Sequence, residues 1–596
     1  MRVLLGVVLI LIGLTGFSQS FESIDGSIVV LLKAINTSEE INDVDVDLIV
    51  EKGEDLSFKW SKTSIGLNET NGKGFTEGEM FKITVYNKQG DTLLIESSVE
   101  GNSMSEALNS FMTPAVGKLA KWLFWDPFAS IGLYNPQMFD DNGKVMLHPN
   151  GDPIEMGIPF IVVWLVIGAL IFTFYFKFIN IRGVGETYRL LTGKYKDVLE
   201  KDAIGEMSHF QALTTSLSAT IGLGNIAGVA MAISIGGPGA TFWMVLAGFL
   251  GMSSKFVECI LGVKYREVKD GVISGGPMYY MSKGIKGNLG KGLAIIFAIL
   301  CVGGSFGGGN MFQANQAFGQ TVHMIPELST YGVEFGFVLS LLVGVVIIGG
   351  VKSIAKVTDK IVPTMAIGYV LAALSVIIMN LDKTSEAFSL IYDGAFSPDA
   401  LKGGFIGVLV MGFKRAAFSN EAGVGSASIA HAAVKTNYPA SEGFVAMIGP
   451  FVDTVIVCLM TSLVIIFTGF SNNELGQTGV NLTSSAFESV FSWYGWVLFV
   501  AILLFSYSTM ISWSYYGLKA WEYVFGNTKI SGYIYKFIFL FFIVIGSSAN
   551  LGSVMDFSDL MILAMAVPNI LALYILLPKV KEELVKYRKR VSEFKS

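Results

Sequence analysis

Charge is scarce in this sequence. Only 15% of its 596 residues are Asp, Glu, Lys or Arg, against 52% hydrophobic residues and a mean hydropathy of +0.57. Such a chain has no soluble globular reading, and apolar runs of the length a bilayer requires recur along it. Cysteine is scarcer still. Cys259, Cys301 and Cys458 all sit in apolar stretches, which excludes a disulfide framework and marks them as small buried hydrophobes. Four histidines lie far apart without metal-ligand spacing, so neither zinc nor any other cofactor is expected. No basic block interleaves with aromatics, which excludes nucleic acid as a partner. A phosphate-cradling GxxxxGK[ST] loop and a nucleophile–base pair are both missing, so neither an ATP-driven pump nor an enzyme is expected.

What is present divides the chain into five parts. Residues 1–19 carry one basic residue, a short apolar core and a small or polar end, as a secretory signal peptide does. Residues 20–104 alternate polar residues with β-type runs such as Lys82–Tyr86 and Thr92–Ile95, separated by turn residues, and predict a small β-rich domain. Residues 105–157 predict an interfacial amphipathic helix with Trp122 and Trp125 at headgroup level, then a hairpin near Pro149–Asp152. Eleven spans follow within 158–578, near 158–179, 207–235, 239–264, 293–320, 333–350, 361–380, 403–434, 443–469, 490–523, 532–548 and 556–577. A basic tail, 579–596, closes the chain. Lys and Arg cluster in alternate loops and in the tail, whereas 321–333 and 470–490 contain neither. The basic side is then cytoplasmic, the C-terminus with it, and the β-rich part lies outside. The expectation is a multi-pass protein of the cell (inner) membrane. The residues fix no oligomeric state.

Two spans are interrupted. Thr220-Ile221-Gly222-Leu223-Gly224-Asn225 breaks the second, and Phe418-Ser419-Asn420-Glu421-Ala422-Gly423-Val424-Gly425-Ser426 breaks the seventh. Glycine weakens a helix by roughly 1 kcal/mol, and unwound backbone at membrane depth is tolerated only where protein or a cavity satisfies it. Paired broken helices point to a transporter's binding site. The two breaks stand five spans apart, an odd offset, so their helices cross in opposite directions. Spans 2–6 and 7–11 then predict two inverted five-helix repeats, with the first span as an accessory. The fold class expected is an all-α polytopic membrane protein preceded by a small β-rich extracytoplasmic domain.

The chemistry of these segments is specific. Free amides of Leu223 and Gly224 at the start of a half-helix suit a carboxylate. Carbonyls near Ser218, Thr220 and Ile221, with the Asn225 amide oxygen, suit a hard cation such as sodium. Glu421 is an intramembrane carboxylate, costing about 2.5–3.5 kcal/mol to insert, and is a functional candidate by default. It either neutralises a substrate ammonium or supports a cation with Ser419 and Asn420, or pairs with Lys414 or Arg415 on its own segment. Asp453 and Thr454 raise the same question. Lys255 and Glu258, three apart near a helix end, read as an ordinary ion pair. Gly307-Gly308-Gly309-Asn310 with Gln313 and Asn315 offers close approach and amides. Phe505, Ser506, Ser508 and Thr509 stand near Trp513, with Thr509 and Trp513 on one helix face.

The motifs Gly222–Ala230, Gly236-Gly237-Pro238-Gly239-Ala240, Gly275-Gly276-Pro277-Met278-Tyr279-Tyr280, Phe418–Gly423 and Trp513-Ser514-Tyr515-Tyr516-Gly517 resemble the alanine/glycine:cation symporter family. The resemblance runs from about Gly157 to Pro578 and implies a sodium-coupled importer of small amino acids on a leucine-transporter-like inverted-repeat fold. It implies that Leu223 and Gly224 take the substrate carboxylate, that Thr220 and Asn225 border it, and that Trp513 walls a methyl-sized pocket. Gly308, Gln313 and Asn315 match the third repeat helix, and Phe418, Ser419, Asn420 and Glu421 the second break. Sodium would rest on Ser218, Ile221, Phe505, Ser508 and Thr509. The front end, 1–157, departs from the family pattern. Two other readings remain: a proton-coupled or different-substrate carrier with Glu421 titrating, and a membrane sensor that uses the outside domain.

Overall fold

The computed structural model describes residues 119–133, 136 and 157–595, apart from 270, 397–403, 473–476 and 478, together with six strands in the first hundred residues. By contact the chain divides into Met1–Leu108 and Asn109–Ser596. In the first unit, Ser18–Glu22, Ile28–Lys33 and Val46–Val50 pair antiparallel, and Leu56–Ser57, Met80–Asn87 and Thr92–Ser98 form a second three-stranded sheet. The apolar runs at 82–86 and 92–95 lie in the last two strands. These ladders are few and short, and they do not establish the β-rich domain expected over 20–104. The hairpin near Pro149–Asp152 and most of the expected signal peptide lie outside the described residues. Of the interfacial segment, a short helix ends near Leu123, and Trp122 and Trp125 are half exposed.

The second unit is helical because its apolar runs carry few breakers, and helix stands at each of the eleven expected segments. Among the described residues, seven helices are long and apolar enough to cross a membrane, or eight if the bent pair His209–Thr220 and Leu223–Gly236 counts as one. Phe160–Tyr175 and Gly332–Ile348 are shorter apolar helices. The chain is thus a multi-pass membrane protein. Ala240–Lys264 is buried along most of its length and packs against both Gly404–Asn420 and Pro439–Ala446. Tyr494–Phe525 packs against His209–Thr220 and against Asn288–Phe306. These two helices hold the broken segments.

Two boundaries differ from expectation. Gly350–Met379 begins well before residue 361, because Lys352, Lys356, Asp359 and Lys360, read as a loop, continue the helix. Leu551–Lys595 is one helix of 45 residues that carries the expected tail with it, through Pro568 and Pro578. Ion pairs one turn apart, Lys579–Glu582 at 3.0 Å and Lys586–Glu583 at 2.9 Å, support the extension. Lys264 reaches Glu583 at 2.5 Å, and the Tyr587 hydroxyl donates to Glu186 at 2.8 Å, which docks the end of that helix.

Candidate functional site

The first break is real and sharp. Ile221 leaves the helix with ψ 82°, Gly222 is extended, and a single 3-10 turn over Leu223–Asn225 precedes the second half, bent by 59°. The freed polar groups are largely met by side chains. The Asn225 side-chain oxygen accepts from the Gly222 amide at 3.0 Å, and its nitrogen donates to the Asp453 carbonyl at 3.1 Å. Thr461 donates to the Asn225 carbonyl at 2.8 Å. Leu223 was expected to offer a free amide, but Gln313 Oε1 accepts it at 3.0 Å. Gln313 is held in turn by donating to the Gly308 carbonyl at 2.8 Å. Among the described residues, the Gly224 amide and the Ile221 carbonyl have no hydrogen-bond partner. Thr220 bonds back to Ser216 and Leu217, as a helical threonine does.

The residues assigned to sodium come together. Thr509 donates to the Ser218 carbonyl at 3.0 Å, Ser218 donates to the Ser508 carbonyl at 2.6 Å, and Ser508 donates to the Phe505 carbonyl at 3.0 Å. All are buried, as is Ile221. Only glycine fits beside them, since a Cβ on Gly222 would stand 2.5 Å from the Thr509 hydroxyl. Oxygens near the end of the His209–Thr220 helix and on the Tyr494–Phe525 helix therefore face one another.

The second break runs over six residues between Gly404–Asn420 and Ala427–His431. It places Glu421, Gly423 and Gly425 at φ 54°, 89° and 96°. The left-handed conformation costs glycine little and a glutamate more, so surrounding bonds must hold Glu421 in place. They do. Trp513 Nε1 donates to Glu421 Oε1 at 3.0 Å, and Ser426 donates to the other oxygen. The pairing of Glu421 with Lys414 or Arg415 does not occur. Both cations turn to Asp559, Lys414 at 2.9 Å and Arg415 beside it, because Glu421 points to the other side of the segment. Ser419 donates to Asp453 at 2.7 Å, and Asn420 to Thr454 at 2.9 Å.

The two breaks touch. A Cβ on Gly224 would meet the Phe418 ring at 3.4 Å and Ser419 at 3.5 Å. Gly307–Met311 forms a π turn, which brings Gly308 against Phe418 and Gly309 against the Trp513 side chain. Asn315 does not join them. It donates to the carbonyls of Gly546 and Ala549, one turn away from the break. The Lys255–Glu258 ion pair is absent too, and both side chains are buried.

Sequence reasoning missed two further features. A second π turn, Phe451–Cys458, supplies Asp453, Thr454 and Cys458 to Asn225, Ser419 and Asn420, and nothing in its composition signals that geometry. His209 and His431, remote in sequence, both bond to the buried Glu442. Beside them Arg266 donates to the carbonyls of Ile204, Ala432, Val434 and Thr436, at 2.6 to 3.1 Å. The start of the first broken helix is thereby clipped to the end of the second. A cavity of about 320 Å³ lies nearby, lined by Glu206, Tyr515, Lys519 and Glu522 among others.

Broken, buried helices that present polar backbone to each other inside an apolar bundle define a membrane transporter. The family model described as the sodium:alanine symporter family matches residues 146–596, and the chain belongs to that family. It is a transporter, not an enzyme. Sodium/alanine symporter AgcS of Methanococcus maripaludis is 40% identical over 426 residues, 70% of this chain and 92% of that protein. The probable sodium/glutamine symporter GlnT of Bacillus subtilis is 33% identical over 70% of this chain and 85% of its own length. Among solved structures, MhsT in complex with L-phenylalanine aligns over 62% of this chain and 88% of that one, at 16% identity and a TM-score of 0.46.

Proposed function

We propose that this protein imports a small neutral amino acid, alanine or glycine, by sodium symport, with alternating access between two inverted five-helix repeats. The observation that carries the proposal is the contact of the two breaks at Gly224, Phe418 and Ser419, with Trp513 bridging to Glu421. The unpartnered Gly224 amide is the seat for the substrate carboxylate, and Glu421 faces its ammonium. Phe418 and Trp513 wall the side-chain end, and Asn225 holds the break in shape. Sodium takes the oxygens of Ser218, Ile221, Phe505, Ser508 and Thr509. The 40% identity to a sodium/alanine symporter supports the small substrate.

The basic loops and tail support the proposed orientation, with the C-terminus in the cytoplasm and the first unit outside. Each sodium ion moving inward gains about 2.3 kcal/mol per 100 mV, enough to concentrate the substrate tens of times. The test is uptake of labelled alanine into proteoliposomes with and without a sodium gradient. Sodium-dependent uptake is expected. Uptake that survives replacement of sodium by potassium at fixed pH moves the coupling to protons and to Glu421, and absence of alanine uptake under both conditions refutes the substrate.

A further inference from the structure

Residues 119–133 lie ahead of the part that the family model matches, 146–596, yet they are built into the bundle. Asp126 caps the turn Pro127–Ser130, accepting from the Phe128 and Ala129 amides at 2.8 and 2.9 Å. Its other oxygen accepts from the Ile158 amide at 2.6 Å. The Phe160 amide donates to the Trp125 carbonyl at 2.8 Å, and the Trp122 and Phe160 rings meet at 5.5 Å. Leu123 is wholly buried. The segment is thereby fastened to the start of the first span, through both backbone and side chains.

From that mooring, Phe124 reaches the second broken helix. Its ring faces Lys414 of Gly404–Asn420, with the ammonium 5.0 Å from the ring centroid. Lys414 and Arg415 share one carboxylate, Asp559. Two cations on one carboxylate leave positive charge over, and the negative face of an aromatic ring is an uncharged partner for it. The Arg415 guanidinium lies 5.5 Å over the Phe418 ring, and its Nε and Nη1 have no hydrogen-bond partner among the described residues. Asp559 and that ring are therefore what hold it. Phe418 in turn packs against both Gly224 and Gly308. The first span also reaches the helix that carries Asp559, since Trp164 donates to the Ala566 carbonyl at 3.3 Å. That helix grips the second break itself, where Asn569 donates to the Gly423 carbonyl at 2.8 Å.

We propose that residues 122–126 form a clasp on the second broken helix, with Phe124 as a positioning residue for transport. Phe124 keeps Lys414 on Asp559 and, through Arg415 beside it, keeps Phe418 against the first break. Resting on the function proposed above, this makes a segment outside the family-matched residues a working part of the transporter.

The experiment uses the full chain with Phe124→Leu, Phe124→Tyr, Lys414→Met and the double variant Phe124→Leu with Lys414→Met. Leucine keeps an apolar side chain without the ring face, whereas tyrosine keeps the ring. The first measurement is amide hydrogen exchange over 410–418, which needs no substrate. Phe124→Leu is expected to exchange there at least threefold faster, as loss of a cation–π contact allows, with 494–513 unchanged. Phe124→Tyr is expected to match the parent, and Phe124→Leu is expected to add nothing once Lys414 is methionine. The second measurement is alanine uptake. Phe124→Leu is expected to raise the half-saturating alanine concentration at least threefold while the maximal rate stays within about twofold. Parent-like exchange in Phe124→Leu overturns the proposal. Equal effects of leucine and tyrosine, or a full effect of Phe124→Leu without Lys414, reduce the contact to ordinary packing and overturn it as well. A parent that moves no alanine refutes the substrate alone, and the exchange results still decide the role of Phe124.

Discussion

Trp513 shows how much one side chain organises here. Its side chain abuts Gly309, its N–H fixes Glu421, and it is 1% exposed, so the ring has nowhere to retreat. Gly309→Ala would place a Cβ 2.3 Å from the ring. Overpacking of this kind costs about 1–3 kcal/mol, and a lower melting temperature in detergent is the expected result. Gly224→Ala is the contrast. Its Cβ meets Phe418 at an ordinary 3.4 Å, so the fold is expected to keep its melting temperature. Alanine uptake should nevertheless fall at least about tenfold, ~1.4 kcal/mol, because the methyl crowds the amide seat. Thr509→Ala removes the donor to the Ser218 carbonyl. The sodium concentration for half-maximal uptake is expected to rise about tenfold while the protein still inserts, as a sodium titration would read.

Individual residues were unequally legible. Glu421 stood out because an intramembrane carboxylate is expensive wherever it sits. Its partner did not, because Trp513 lies 92 residues away and only tertiary packing joins them. Asn315 misled, since an amide beside Gln313 looks equivalent until helix rotation turns it towards Ala549.

At the scale of elements, glycine marked where helices fail but not what then holds them. The break at Gly222 was visible, yet Leu223 lost its free amide to Gln313, a contact 90 residues apart. The π turns at Gly307–Met311 and Phe451–Cys458 follow from neighbouring packing, and local propensity does not distinguish them from ordinary helix. The histidines were judged only by spacing, so their shared carboxylate at Glu442 could not be anticipated. That element carries its own prediction. Glu442→Gln removes the charged partner of His209 and His431 in a buried site, where breaking a charged contact typically costs about 3–5 kcal/mol. A lower melting temperature is expected, with faster amide exchange in 204–209 and 431–437. Exchange confined to other helices would show that the clip does not depend on this carboxylate.

Over the whole molecule, the places where helix forms were readable from hydropathy, and the helix ends were not. Among the described residues seven or eight helices, not eleven, are long and apolar enough to cross a membrane. Charged residues at 352–360 and 579–595 read as loop and tail but continue helices, because helix propensity and ion pairs one turn apart persist where apolar runs stop. Topology gives a direct test. The three native cysteines are buried, so a single cysteine introduced at exposed Ser592 is a clean reporter. A membrane-impermeant maleimide is expected to label it only after cells are opened; labelling of intact cells would invert the proposed orientation.

The helix Leu551–Lys595 has a mechanical consequence. It grips the second break through Asn569 and is moored to Lys264 and Glu186 through Glu583 and Tyr587, roughly 27 Å further along at 1.5 Å per residue. Between these two grips stands Pro578, where a helix bends most readily. The rod is therefore a jointed strut, so a load applied at its outer mooring reaches the carbonyl of Gly423 through a single covalent element.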